Sequence, residues 1–178
     1  MKATQINFRP LEINDLSLLH SWFHEPFILK HYARNEVYSL QMITDKYLPR
    51  ILGKESISSF IIKINGIDNG FIQYYQLSEF LPEGMQDDSV LFKEFKASEC
   101  VGIDLFIASP ELRFKGLGAR VIQKFIADFL TNYKIVLVDP QLDNTGAIRA
   151  YEKAGFQKTD LSILPDFLIL SYQTSVIF

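Results

Sequence analysis

Residues 101–130, VGIDLFIASPELRFKGLGARVIQKFIADFL, hold the decision about the fold. The stretch opens as an apolar strand over 101–108 and breaks at Ser109-Pro110. It then turns through Arg113-Phe114-Lys115-Gly116-Leu117-Gly118. Beyond the turn, Leu117, Val121, Ile122, Phe125, Phe129 and Leu130 recur at helical steps of three and four. A strand, a glycine-bearing basic turn and a helix start make an anion site. The first backbone N–H groups of a helix lack partners inside it, and the helix dipole places positive charge there. Gly116 and Gly118 let backbone approach a phosphate with no Cβ in the way, while Arg113 and Lys115 add mobile charge. The turn is neither the G-x-x-x-x-G-K-[ST] of a P-loop nor a G-x-G-x-x-G dinucleotide turn.

Working outward, residues 5–9 alternate as a first strand ended by Pro10. Asn14 or Asp15 is expected to cap a helix bearing Leu16, Leu19 and Phe23, which Glu25-Pro26 ends. A helix from about Ser39 carries Leu40, Ile43, Tyr47 and Ile51, and Pro49 is expected to kink or split it. A strand over 58–64 and another over 71–77 form an antiparallel hairpin, with Asn65-Gly66 and Asn69-Gly70 as turn residues. Residues 78–98 read as a long irregular segment. A short strand over 134–138 stops at Asp139-Pro140. A helix over 144–154 follows, with Asp143 as its cap and Gly155 past its end. Strands from Phe156 onward and over 167–176 close the chain. The strand–helix–strand unit over 101–138 predicts two parallel strands with a right-handed crossover. Ligands bind such sheets at the carboxyl ends of the strands, the edge that holds both the glycine turn and Asp139.

The 178 residues suit one domain over 1–178, and 48% hydrophobic content, rich in Phe and Tyr, supplies a sizeable core. A net charge of −3 points away from nucleic acid, and no apolar run suits a membrane span or a signal segment. The lone Cys100 excludes an intrachain disulfide. The expectation is a cytoplasmic protein, with no membrane or nucleic-acid partner, as a monomer or weak homodimer.

The turn fits R/Q-x-x-G-x-G/A, and residues 143–156, DNTGAIRAYEKAGF, fit N-x-x-A-x-x-x-Y-x-K-x-G-F. On these two motifs the chain resembles the GNAT superfamily of N-acetyltransferases. Tyr47-Leu48-Pro49, Glu55-Ser56, Asn65-Gly66, Gln73 with Tyr75, Gly102-Ile103-Asp104 with Phe106, and Asp139-Pro140 bring the resemblance closer. In that order they are similar to the aminoglycoside 6′-N-acetyltransferases of the Ib-like branch, over roughly residues 8–176. The resemblance implies an α/β (α+β) GNAT fold, a mixed central sheet with splayed parallel central strands flanked by helices. It implies acetyl-CoA as co-substrate, no metal, and a small-molecule amine acceptor in an antibiotic-resistance setting. The expected cofactor-binding set is Phe106, Ile107 and Ala108, then Arg113, Phe114, Lys115, Gly116, Leu117, Gly118 and Ala119, with Asn144 at the pantetheine arm and Tyr151 near the thioester sulfur.

Amide formation needs a neutral amine, a polarised thioester carbonyl and a protonated leaving thiolate. Asp104 lies inside the apolar run Ile103-Asp104-Leu105-Phe106, where an aspartate is out of place unless it has a task or a partner. It is the candidate to hold and deprotonate the acceptor ammonium. Tyr151 is the candidate to return a proton to the thiolate. The alternative reading is a core aromatic behind Gly155-Phe156. Backbone N–H groups near 106–108 are candidates for polarising the thioester oxygen. Gln73, Tyr75, Asp104 and Asp139 form the expected acceptor-binding set. His20 and His24, four apart, read as surface or packing residues rather than a metal pair, and Cys100 as inert packing. The branch's paired tryptophans are absent from the segment before Gly102, which holds Phe80, Leu81, Phe92 and Phe95. Around it Glu79, Glu83, Asp87, Asp88, Glu94 and Glu99 outnumber Lys93 and Lys96. This is either a solvated loop or a lip for a polycation. Competing readings are an acyltransferase for a siderophore precursor or protein amine, and a catalytically silent acyl-CoA-binding domain.

Overall fold

The computed structural model describes residues 4–174. Seven strands form one mixed sheet in the order β1-β2-β3-β4-β5-β7-β6: β1 Ile6–Pro10, β2 Ile57–Ile64, β3 Ile67–Gln76, β4 Cys100–Ile107, β5 Ile135–Val138, β6 Gln157–Lys158 and β7 Leu170–Gln173. The helices are α1 Leu16–Phe23, α2 Pro26–His31, α3 Leu40–Ile51, α4 Leu117–Phe129 and α5 Thr145–Ala154. By packing, the chain divides into two compact units, Met1–Gln73 with Asp104–Glu111, and Tyr74–Ile103 with Leu112–Phe178.

In the first unit β1 runs antiparallel to β2, from Ile6 opposite Ile64 to Pro10 opposite Phe60. Its core gathers Leu19, Phe23, Ile28, Ile43, Tyr47, Ile61, Phe71 and Phe106. Phe23 stands edge-on to Tyr32, Tyr38, Tyr47 and Phe106, with centroids 5.1–6.1 Å apart, and Phe71 stacks on Phe106 at 5.8 Å. Edge-to-face pairs add roughly 0.5–1.5 kcal/mol each beyond burial. His20 and His24 pack ring to ring, with a His24 ring nitrogen 2.8 Å from the His20 carbonyl.

α1 stops just before Glu25-Pro26, as expected, while four other local features differ from expectation. Pro26 begins a helix: Glu25 stands at the N-cap of α2 and accepts from the Ile28 N–H, and proline is well suited to a first helical position. Pro49 does not split α3, which runs through it to Ile51 after capping by Ser39 on Met42 N–H. Pro49 falls in the last turn, so little helix remains beyond it to break. Asn69-Gly70 is strand, not turn. Asn65 and Gly66, at φ 52° and 83°, make the hairpin turn, and β3 starts at Ile67. Gly70 is needed for another reason: a Cβ there would collide with the carbonyl oxygen of Phe106. Asp15 lies at the start of α1 without a side-chain cap bond there. Its carboxylate is held by Arg9 at 2.7 Å and accepts from the Glu12 N–H.

In the second unit β4 and β5 are parallel, as the strand–helix–strand pattern predicts. Their ladder runs from Cys100 opposite Ile135 to Gly102 opposite Leu137. β5 pairs antiparallel with β7, and β7 with β6. Val121, Ile122 and Phe125 of α4 are buried, as are all four residues of β5. The helix over 145–154 is capped by Asn144, whose Oδ1 accepts from the Ala147 N–H at 3.2 Å, rather than by Asp143. Gly155 at φ 107° terminates it as expected. The segment 78–98 has only short single-turn helices, at Val90–Lys93 and starting at Ala97. β7 ends at Gln173, and the expected strand positions 175–176 lie outside the described residues. No helix among the described residues is long and apolar enough to cross a membrane.

Candidate active site

Asp104 lies on β4 and is half-buried. Its Oδ2 accepts from Gln73 Nε2 at 2.8 Å, and no hydrogen bond from the described residues reaches Oδ1. Gln73 is oriented from its other end. Its Oε1 accepts from Arg50 Nη1 at 2.9 Å, so the amide nitrogen must face the carboxylate. Arg50 Nε in turn bonds Glu55 Oε2 at 3.1 Å. Burial pushes the Asp104 carboxyl pKa up. Gln73 and the positive charges of Arg50, Lys46 and Arg34 oppose that rise without cancelling it. The result is a carboxylate with one oxygen committed and a raised affinity for a proton, which suits a group that takes a proton from an ammonium.

The floor beneath this carboxylate is aromatic. The Tyr47 hydroxyl is buried beside that of Tyr32. Burial raises the pKa of both phenols. Phe106 is buried among Phe23, Tyr32 and Phe71. The Ala108 N–H donates to the Asn69 carbonyl at 2.7 Å, so that group is already engaged. Ile107 ends β4 half-buried.

The expected pyrophosphate turn lies in the second unit. Gly116 adopts φ 75° at the N-cap of α4, a conformation that side chains with a Cβ rarely take. No side chain caps the first turn of α4, where Leu117, Gly118 and Ala119 begin the helix. A Cβ on Gly116 would stand 2.9 Å from Lys153 Nζ, so α5 brings a further ammonium to the turn that already carries Arg113 and Lys115. At Gly118 a Cβ would stand 3.5 Å from the Ala150 Cβ, an ordinary contact distance, where α4 packs on α5. Phe114 is left-handed at φ 59° and 77% exposed, yet its ring leaves no room for a Cβ on Gly146. This geometry fits a diphosphate: uncapped N–H groups, an unobstructed glycine and mobile cations together.

Tyr151 is buried on α5, two helical turns from Asn144, with its ring 5.7 Å from Phe156. Tyr75 is buried with its ring over Gly102, where a side chain would clash, and 6.3 Å from Phe80. Asp139 Oδ2 accepts from the Glu83 N–H at 2.6 Å, which makes it an anchor for the irregular segment. Glu99 is also engaged, by Lys134 at 2.8 Å. Within the first unit the structure therefore brings Gln73 and Asp104 together. Within the second it gathers the turn 113–119 with the start of α5. Sequence reasoning missed Lys46, Arg50 and Lys153. The signal for the first two was a pair of cations four apart on the face of α3 that also carries Tyr47.

The chain matches the acetyltransferase (GNAT) domain family over residues 12–162 and belongs to it. It is an N-acetyltransferase domain on the GNAT fold, with a mixed seven-stranded sheet. Among curated proteins it is 27% identical, over 164 residues, to aminoglycoside N(6′)-acetyltransferase type 1 of Klebsiella pneumoniae, covering 90% of this chain and 78% of that one. The same figures hold for the Serratia marcescens protein of that name. Among solved structures it is similar to aminoglycoside acetyltransferase AAC(6′)-Ib in complex with coenzyme A and kanamycin. The TM-score is 0.78 at 25% identity, with 95% of each chain covered.

Proposed function

We propose that this chain transfers the acetyl group of acetyl-CoA directly to a primary amine of a small molecule. Aminoglycosides are the acceptor class that the relatives' names offer. The observation that carries the reading is Asp104, a half-buried carboxylate with Oδ2 fixed by Gln73 and Oδ1 left to a ligand. In the proposed reaction Asp104 holds the acceptor ammonium and passes one of its protons to water. The freed amine nitrogen attacks the thioester carbon and gives up its second proton to solvent, the C–S bond breaks, and Tyr151 protonates the departing thiolate, its own proton being restored from solvent. The products are the N-acetyl amide, free CoA and one proton. The cofactor is held by the turn 113–119, with Lys153 as a counter-charge to its phosphates, and by Asn144 along the pantetheine arm. Gln73 and Tyr75 line the acceptor side, and the N–H groups of Phe106 and Ile107 polarise the thioester. Asp139 acts on the acceptor only through the segment it anchors at Glu83. We take residues 1–178 to be one catalytic domain, cytoplasmic, working as a monomer or weak homodimer on a small molecule, without metal, nucleic acid or membrane.

The test is thiol release from acetyl-CoA by the purified protein, with kanamycin and simple alkylamines as acceptors. Amine-dependent release of CoA and a mass gain of one acetyl on the amine are expected. Tight CoA binding with no turnover of any amine would leave the silent acyl-CoA-binding reading in its place.

A further inference from the structure

Two opposite charges in the first unit each hold half of an ion pair, and they do not hold each other. One is Asp104, whose Oδ1 receives no hydrogen bond among the described residues. The other is Lys46, half-buried on α3. Its ammonium lies 3.3 Å from the Tyr38 hydroxyl, 5.0 Å over the Tyr38 ring and 5.8 Å over the Tyr47 ring. No carboxylate among the described residues comes within ion-pair distance of it. The two charges sense one another electrostatically without touching.

This arrangement is costly as it stands. Lys46 and Arg50 are four apart on one helix, and like charges at that spacing repel. Arg50, 4.9 Å over the other partner of the cage, Tyr47, is ion-paired with Glu55, whereas Lys46 has only the longer-range attraction of Asp104 and Glu36. Ring faces and one phenol oxygen stabilise an ammonium only partly when it leaves water. Burial and the nearby Arg50 accordingly lower its pKa. A polycationic ligand would add further positive charge beside this group. A ligand with an anionic end would remove the imbalance, with its ammonium on Asp104 and its anion on Lys46.

We infer that Lys46, caged by Tyr38 and Tyr47, is an anion subsite for the acceptor, and that the acceptor class this site favours is a zwitterion bearing a carboxylate a short chain away from the accepted amine. The inference rests on Asp104 receiving the acceptor amine and narrows which amines are preferred. An aminoglycoside offers Lys46 only hydroxyl oxygens, a weaker partner than a carboxylate.

The test compares matched acceptors with acetyl-CoA: ω-amino acids of three to six carbons, the corresponding diamines, and the corresponding alkylamines. At the best length, kcat/KM for the amino acid is expected to exceed that of the diamine at least tenfold. Lys46→Met keeps the apolar stem and should collapse that ratio through KM. Lys46→Arg keeps the charge and should preserve it, which separates lost charge from damaged folding. Diamines equal to or better than amino acids at every length, or a ratio unchanged in Lys46→Met, would overturn the inference while leaving N-acetyl transfer intact. If neither these amines nor kanamycin release CoA, the proposed activity fails. Calorimetry of the same amino acids and diamines then still reads the subsite. Amino-acid binding that is lost in Lys46→Met supports it, and equal affinity for both series, or no binding, overturns it.

Discussion

Around Asp104 the first unit works with side chains, through a carboxylate, the Gln73 amide that grips it, Arg50 and Glu55 behind the amide, and a bed of aromatic rings. Around Gly116 the second unit works with backbone, through a left-handed glycine, an uncapped helix start and an ammonium reaching in from α5. The difference teaches how each half can vary. In the proposed reaction a diphosphate would be bound through main-chain N–H groups that nearly any sequence supplies, provided that glycines leave the approach open. The amine would be chosen by particular charges, so that changing one of them would change the chemistry that is accepted.

The largest effect expected from this contrast is at Asp104. Asp104→Asn should lower kcat/KM for the amine by roughly 10²–10⁴-fold, the scale of general acid–base help, with acetyl-CoA affinity nearly unchanged. Equal losses in both would erase the contrast and assign Asp104 to folding. Its raised pKa has a sign that can be checked. The folded protein holds this proton more tightly than the unfolded chain. Asp104 therefore contributes most stability at pH below the ordinary aspartate value, and that contribution is lost as pH rises through its folded pKa. Activity needs the ionised form and moves the opposite way, so kcat/KM rises across the same interval. Asp104→Asn should remove this residue's part of both trends, measured as Tm and as kcat/KM against pH.

Next in size is Tyr151→Phe, which keeps the ring against Phe156 and removes the hydroxyl. A fall in kcat of roughly ten- to a hundredfold is expected, at the lower end of acid–base help, because a thiol with a pKa near 8.5 is already a fair leaving group. Full activity would place Tyr151 in the core. Gly116→Val is expected to act on the cofactor alone, raising the acetyl-CoA KM about tenfold. A left-handed valine costs ~1–2 kcal/mol, and Lys153 would also have to move. A changed amine KM with an unchanged acetyl-CoA KM would break the division of labour. The smallest effect should come from Gly118→Ala, whose new methyl meets Ala150 at ordinary contact distance. Binding and stability within about twofold of the parent protein are expected, and a large loss of CoA affinity would show that Gly118, not only Gly116, must stay open.

Much of this contrast was legible in the sequence, for reasons that differ by residue. The period of Leu117, Val121, Ile122 and Phe125 fixed α4, because a helix of that length buries one face and the apolar spacing records it. Asp104 stood out as a charge inside an apolar strand. The helix at Pro26 was missed because Glu-Pro reads equally as a stop and as a cap followed by a first helical residue. The strand role of Gly70 could not be read locally, since the carbonyl it accommodates belongs to Phe106, far along the chain. Lys46 was invisible for a related cause. On α3 it looks like a solvated lysine, and only the fold reveals that two tyrosine rings face it and that no carboxylate among the described residues forms an ion pair with it.

The bond from Asp139 to the Glu83 N–H has one more consequence. Next to it, the Ile163 N–H donates to the Gly84 carbonyl, so residues 83–84 are docked on two sides. The chain between β3 and β4 is thus divided into a short arc over 77–82 and a longer one over 85–99, each with its own fixed ends. Loop-closure entropy grows only with the logarithm of length, about 0.6 kcal/mol per doubling. The longer arc can therefore gain or lose residues at little thermodynamic cost while the pinned point keeps the short arc in register. For an engineer this arc is an exchangeable cassette, where aromatic or charged segments can be grafted without rebuilding the strands on either side.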